Sequence, residues 1–139
     1  MVVKKSMKVS GRFLVGTNII VNFFKGDQTI RMNLAEGEVF LPSIVVGELY
    51  FGAYASGVVA NKKKRLKEIA YFLDSYPVLE VSETTAHHYG GIKSQLKSLG
   101  KPIPENDVWI AALAIEHDIA LVTADQHFSH IKELETVAW

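Results

Sequence analysis

The chain has 139 residues, 48% hydrophobic and 22% charged, with 15 Lys and Arg balancing 15 Asp and Glu, and no cysteine. These figures describe a single folded domain over residues 1–139 with a hydrophobic core. They exclude a disulfide framework, thiolate chemistry and a global field that would draw the chain to nucleic acid, so that any such binding has to be local.

The N-terminal stretch "MVVKKSMKVSGR" lacks the apolar segment of a secretory signal, and no apolar run approaches the ~20 residues of a membrane span. A cytoplasmic location is expected, with residues 1–10 as a flexible extension. Beyond it, short apolar runs alternate with helical patterns. "RFLV" is the first strand and passes into a helix from about Thr17. "EVFL" is the second, followed by a helix for which Ser43 is a suitable N-cap. The basic run "NKKKRLK", Asn61 to Lys67, reads as the solvated face of a further helix or as a phosphate-contacting rim. "VLEV" leads to Ser82, again a suitable cap, and to the helix containing "HHYGGIKSQLKSLG". "DVWIAALAIEHD" is apolar nearly all the way round, as a helix in the domain centre would be. "IALVTAD" and "ETVAW" supply the last two strands. Four strand-then-helix units and a closing strand predict a mostly parallel sheet with helices on both faces, and right-handed crossovers.

Three acids fall at the junctions of this pattern. Glu48 lies in the helix after the second strand, among Val45, Val46, Leu49 and Phe51, where a solvent-facing Glu is out of place. Asp107 lies near the start of the apolar helix, and Asp125 just past a buried strand. Ligands of open α/β sheets bind outside the carboxyl ends of the strands. Carboxylates gathered there repel one another unless a cation neutralises them, and hard divalent cations take oxygen ligands. Each acid also has an ordinary reading: Asp107 as a helix cap, Asp125 as a turn or N-cap residue, Glu48 as a side chain reaching solvent from a half-buried helix.

The stretches "FLVGTNIIVNFF", "LPSIVVGELYFGA", "GKPIPENDVWIAALAIEHDIALVTADQHFSHI" and the terminal "VAW" together resemble the PIN-domain family, and more closely its VapC-type toxin ribonucleases. The resemblance implies a three-layer α/β/α sandwich with a central, mostly parallel sheet. It implies an endoribonuclease toxin of a type II toxin–antitoxin pair, dependent on Mg2+ or Mn2+, with a cognate antitoxin protein, an RNA substrate and a homodimeric assembly. Glu48, Asp107 and Asp125 match the family's second, third and fourth metal-binding acids, and Thr17, Asn18 and Thr123 match positions that support the site by hydrogen bonding. One position departs from the pattern. The family's first motif ends its strand with Asp-Thr-Asn or Asp-Ser-Asn, whereas this chain has Gly16-Thr17-Asn18. The first metal-binding carboxylate is therefore missing, whether through an introduced inactivating change or natural degeneration, unless water or another acid replaces it. Glu105 is the nearest spare acid.

Other groups carry less. His127 and His130 are one helical turn apart, but no cysteine or second suitably spaced His pair completes a zinc set. His87 and His88 read as surface residues. Tyr50, Phe51, Tyr54, Tyr71 and Phe72 suit packing between two neighbouring helices, with part of that face left for a partner. A receiver domain also gathers acids at a sheet edge, but it needs an acidic pair after its first strand and a Lys after its last core strand, and both are missing. A non-catalytic module that binds RNA or an antitoxin is the standing alternative to an active enzyme.

Overall fold

A computed structural model describes residues 11–139, so the expected extension over 1–10 lies outside the described residues. The elements are β1 (Arg12–Val15), α1 (Thr17–Phe24), α2 (Gln28–Glu36), β2 (Glu38–Pro42), α3 (Ser43–Tyr54), α4 (Val59–Ser75), β3 (Val78–Leu79), α5 (Glu83–Leu99), α6 (Glu105–His117), β4 (Ala120–Val122), a 3₁₀ turn (Gln126–His130) and β5 (Thr136–Val137). The five strands form one sheet in the order β3-β2-β1-β4-β5, every pair parallel. Six helices flank it, giving the expected α/β architecture.

Parallel neighbours cannot be joined by a tight hairpin, so each connection crosses the sheet through helix. Strands covered on both sides read as unbroken apolar runs. Leu14 and Val15 of β1 and Ala120, Leu121 and Val122 of β4 are all buried, with Leu14 in register with Leu121 and Val15 with Val122. From α6, Val108 and Ile110 through Ala114 join the same core, as the continuous apolar pattern of that helix predicts.

The structure refines several expectations. The first crossover holds two helices rather than one: α2, unread from sequence, is capped by Asp27, whose Oδ1 accepts from the Ile30 N–H at 3.1 Å. Gly26 between α1 and α2 has φ +93°, a left-handed conformation that favours glycine and lets the chain turn there. Ser43 is the first helical residue of α3, not its cap; the cap position is Pro42, which offers no side-chain acceptor. The third strand is confined to Val78–Leu79 because it pairs only with the end of β2, at Leu41 and Pro42. The apolar helix starts at Glu105, two residues before Asp107. Ser82 does cap α5, in a reciprocal box with Thr85.

β1 is the hinge of the topology. The chain runs outward from it on one side through β2 and β3, then returns to its other side with β4 and β5. The crevice at the carboxyl ends of β1 and β4 is the switch point where such sheets take their ligands.

Candidate functional site

Each functional side chain reaches that crevice from a different element. β1 ends at Val15 and delivers Gly16 and Thr17 directly to the edge. α3 leaves β2 at the same edge and carries Glu48 in its second turn. α6 leads into β4, so it runs antiparallel to the strands and brings its N-terminal turn, with Asn106 and Asp107, to the carboxyl edge. β4 ends at Val122 and hands on to Thr123 and Asp125. Gly16, Thr17, Asn18, Glu48, Asp107, Thr123 and Asp125 all line one open cavity of about 1150 Å³.

Glu48 is held on both oxygens. Thr17 Oγ1 donates to its Oε1 at 2.6 Å, and Asn106 Nδ2 donates to its Oε2 at 3.1 Å. The half-buried Glu48 is thereby fixed toward the crevice, and the snorkelling alternative does not apply. Asp107 does not cap α6, whose cap residue is Pro104 with no side-chain bond. Its Oδ2 instead lies 3.0 Å from His127 Nε2. Asp125 keeps its ordinary role as well: it is the N-cap of the 3₁₀ turn, accepting from the His127 N–H at 3.2 Å, while its Oδ1 lies 3.0 Å from His127 Nδ1. Thr123 Oγ1 accepts from the Asp125 N–H at 3.0 Å and shapes the turn. Asn18 is exposed at the rim and makes no side-chain hydrogen bond among the described residues.

The backbone does not require glycine at position 16. Its φ of −94° and ψ of 178° are extended values that any residue adopts. A Cβ built there meets no atom within 4 Å. Glu105 does not reach the cavity: it is exposed, does not line it, and is paired with Lys93 Nζ at 2.5 Å and with the Tyr89 hydroxyl.

The electrostatics are lopsided. Four acids line the cavity, Asp27 in addition to Glu48, Asp107 and Asp125, and among the described residues no Lys or Arg does. Burial raises the Asp107 carboxyl above its ordinary value; the hydrogen bond and charge of His127 pull against this, while the charges of Glu48 and Asp125 push it further up. Asp107, Asp125 and His127 each offer one ligand atom, all within 4.8 Å of one another. Hard carboxylate oxygens at this separation, crowded enough to disfavour ionisation, suit a divalent cation.

Two residues of this arrangement escaped the sequence reading. Asn106 carries no sequence sign of its partner Glu48, 58 residues away. His127 reads with His130 as an incomplete zinc pair, but its position two residues after Asp125 in a tight turn returns its ring to the carboxylates. His87 is exposed and His88 half-buried, as expected of surface residues. Of the aromatic group, Phe72 is fully buried, but Phe51, expected to pack, is 73% exposed and lines the cavity.

A PIN-domain family model matches residues 13–134. Ribonuclease VapC2 of Haemophilus influenzae is 32% identical over 132 residues, covering 92% of this chain and 98% of that protein. The tRNA(fMet)-specific endonuclease VapC of Shigella flexneri is 28% identical with the same coverage. Among solved structures, VapBC2 from Rickettsia felis bound to a promoter DNA fragment superposes with a TM-score of 0.84 at 28% identity, and DNA-bound VapBC from Salmonella typhimurium with 0.85 at 25%; each covers 92% of this chain and 98% of the other.

Proposed function

Because the chain belongs to the PIN-domain family and is similar over nearly its whole length to VapC ribonucleases, we propose that it is the endoribonuclease toxin of a type II toxin–antitoxin pair, impaired by glycine at position 16. The observation that carries this reading is the convergence of Glu48, Asp107 and Asp125 on one crevice free of lining Lys and Arg. A phosphodiester cannot approach four carboxylates unaided, so the acids are useful to an RNA substrate only around a cation.

Asp107, Asp125 and Glu48 would hold that cation, Mg2+ or Mn2+. When bound, it supplies charge neutralisation at the scissile phosphate and activation of water for in-line attack. The protein's part is orientation. Thr17 and Asn106 hold Glu48 on the β1 side of the crevice, and Thr123 sets the turn that presents Asp125 on the β4 side. The N-terminal turn of α6 adds the positive end of its dipole beside Asp107, which favours the ionised carboxylate.

An antitoxin is the proposed protein partner, and a second copy of the chain its assembly partner. The exposed apolar side chains of Phe51 (73%), Tyr54 (62%) and Tyr71 (51%), with Val58 and Val59, leave a face along α3 and α4 for such contacts. Tyr50 stacks on Tyr54 with ring centroids 6.2 Å apart. No helix of the described residues is long and apolar enough to cross a membrane, and a cytoplasmic toxin acting on cellular RNA accords with that. The alternative, a non-cleaving module that binds RNA or antitoxin, is favoured by one observation only, Gly16.

The test is a side-by-side assay of the chain and its Gly16→Asp variant, by cation titration and by cleavage of structured RNA with chelator controls. An added carboxylate ~4 Å from the cation contributes on the order of 4 kcal/mol per unit charge of the cation at an effective dielectric near 20, before desolvation is subtracted. At least about a tenfold gain in affinity is therefore expected, together with the appearance of chelator-sensitive cleavage. Equal cleavage by both versions would remove the impairment from the reading. Cleavage by neither would leave the binding module.

A further inference from the structure

The cavity leaves the His127 ring unexplained. The ring is 29% exposed, packs at 4.9 Å against the buried Phe128, and is not among the residues lining the cavity, although Asp107 and Asp125 on either side of it are. Its Nε2 is hydrogen-bonded to Asp107 Oδ2 at 3.0 Å, and its Nδ1 lies 3.0 Å from Asp125 Oδ1, a charged contact when the ring is protonated.

We propose that His127 is a positioning residue, a clamp that spans Asp107 and Asp125 from outside the cavity and fixes the spacing of the two carboxylates on which a site lacking an acid at position 16 must rely. The inference rests on the reading of those acids as cation ligands. The two come from elements of different rigidity. Asp107 stands on a helix packed into the core, whereas Asp125 is 50% exposed on the turn after β4. Like charges at such close quarters repel, and a single backbone hydrogen bond, from the His127 N–H, holds the exposed Asp125 carboxylate against an outward swing toward water. The residue joins the turn to the helix, with its ring Nε2 on Asp107 Oδ2, and its backbone N–H on Asp125 Oδ1 beside the nearby Nδ1. That arrangement engages one oxygen of each carboxylate from behind. Asp107 Oδ1 and Asp125 Oδ2 have no protein partner among the described residues and remain for the cavity. Groups that hydrogen-bond a ligand from its far side usually matter by 10–100-fold in metal affinity.

The probe is Mn2+, followed by the loss of its free-ion electron paramagnetic resonance signal on titration of the full chain, and repeated in the Gly16→Asp background so that weak binding is still measured. His127→Ala is expected to lower Mn2+ affinity by about 10–100-fold. His127→Gln places a donor near the Nε2 position, facing Asp107, and His127→Asn near the Nδ1 position, facing Asp125; each is expected to recover part of the loss. These two carry the test if the alanine variant does not fold. Melting temperature of the metal-free variants reports folding separately. Unchanged Mn2+ affinity in all three His127 variants, with Asp107→Asn still abolishing binding, overturns the clamp and spares the site. Unchanged affinity in Asp107→Asn overturns the site and the clamp with it. A directly bound ¹⁴N in pulsed resonance of the Mn2+ complex, lost in His127→Ala, would make His127 a ligand and likewise overturn the clamp.

Discussion

The helices α5 and α6 both begin with acids in their first turn, Glu83 in one and Glu105 and Asp107 in the other, yet the two termini are built for different ends. At α5, Ser82 accepts from the Thr85 N–H while Thr85 Oγ1 accepts from the Ser82 N–H at 2.9 Å. Thr85 is fully buried and also donates to Glu116 Oε1 at 2.5 Å. Donors and acceptors are matched within the protein. At α6 the cap residue is Pro104, which has no side-chain acceptor, and Asp107, which could have satisfied the helix, faces the cavity and His127 instead. Its carboxyl is crowded enough that burial and like charge oppose its ionisation. A polar group satisfied at home stabilises; one turned into a crevice costs stability and is available to a ligand.

The sharpest break of this contrast is Asp107→Asn. Cation affinity should fall by more than about 100-fold, beyond the usual effect of losing an outer hydrogen-bonding partner, and cleavage by the Gly16→Asp version should go with it. The metal-free melting temperature should hold or rise, since the side chain caps nothing and repels Glu48 and Asp125. A fall in melting temperature without a change in affinity would mean that the two helix starts are alike.

The converse change is Ser82→Ala at α5. Loss of the cap should cost about 1 kcal/mol, roughly 2–4 °C in melting temperature for a chain approaching 150 residues, with cation affinity unchanged. Calorimetry and the Mn2+ titration together separate the two sites.

The smallest effect is in pH. The folded-state value of Asp107 is raised, so between the ordinary carboxylate value and that raised value the native state binds more protons than the unfolded one. The stability this group contributes is fully present below its unfolded value and is lost as pH rises through the folded value. Denaturant unfolding of the metal-free chain at a series of pH values should show that decline, and Asp107→Asn should flatten it. Ser82→Ala should leave that slope unchanged.

The alternation of apolar strands with longer helical patterns, the wholly apolar α6 and the Ser82 cap were legible because they depend on neighbours in the chain: periodicity, propensity and capping act over a few residues. So did the placing of Glu48, Asp107 and Asp125 at element junctions, since a parallel sheet sends all its strand ends to one edge. The starts of α3 and α6 were misjudged because residues before the helix, Pro42 and Pro104, take cap positions without offering an acceptor. Phe51 was misjudged because a local pattern does not say which side of a helix is covered. Only the tertiary structure decided the pairings across the crevice: Thr17 and Asn106 on Glu48, and the His127 ring on Asp107. Those contacts join residues 20 to 58 positions apart. They exist because α3, α6 and the turn after β4 converge on the end of β1, where distance in space no longer follows distance along the chain.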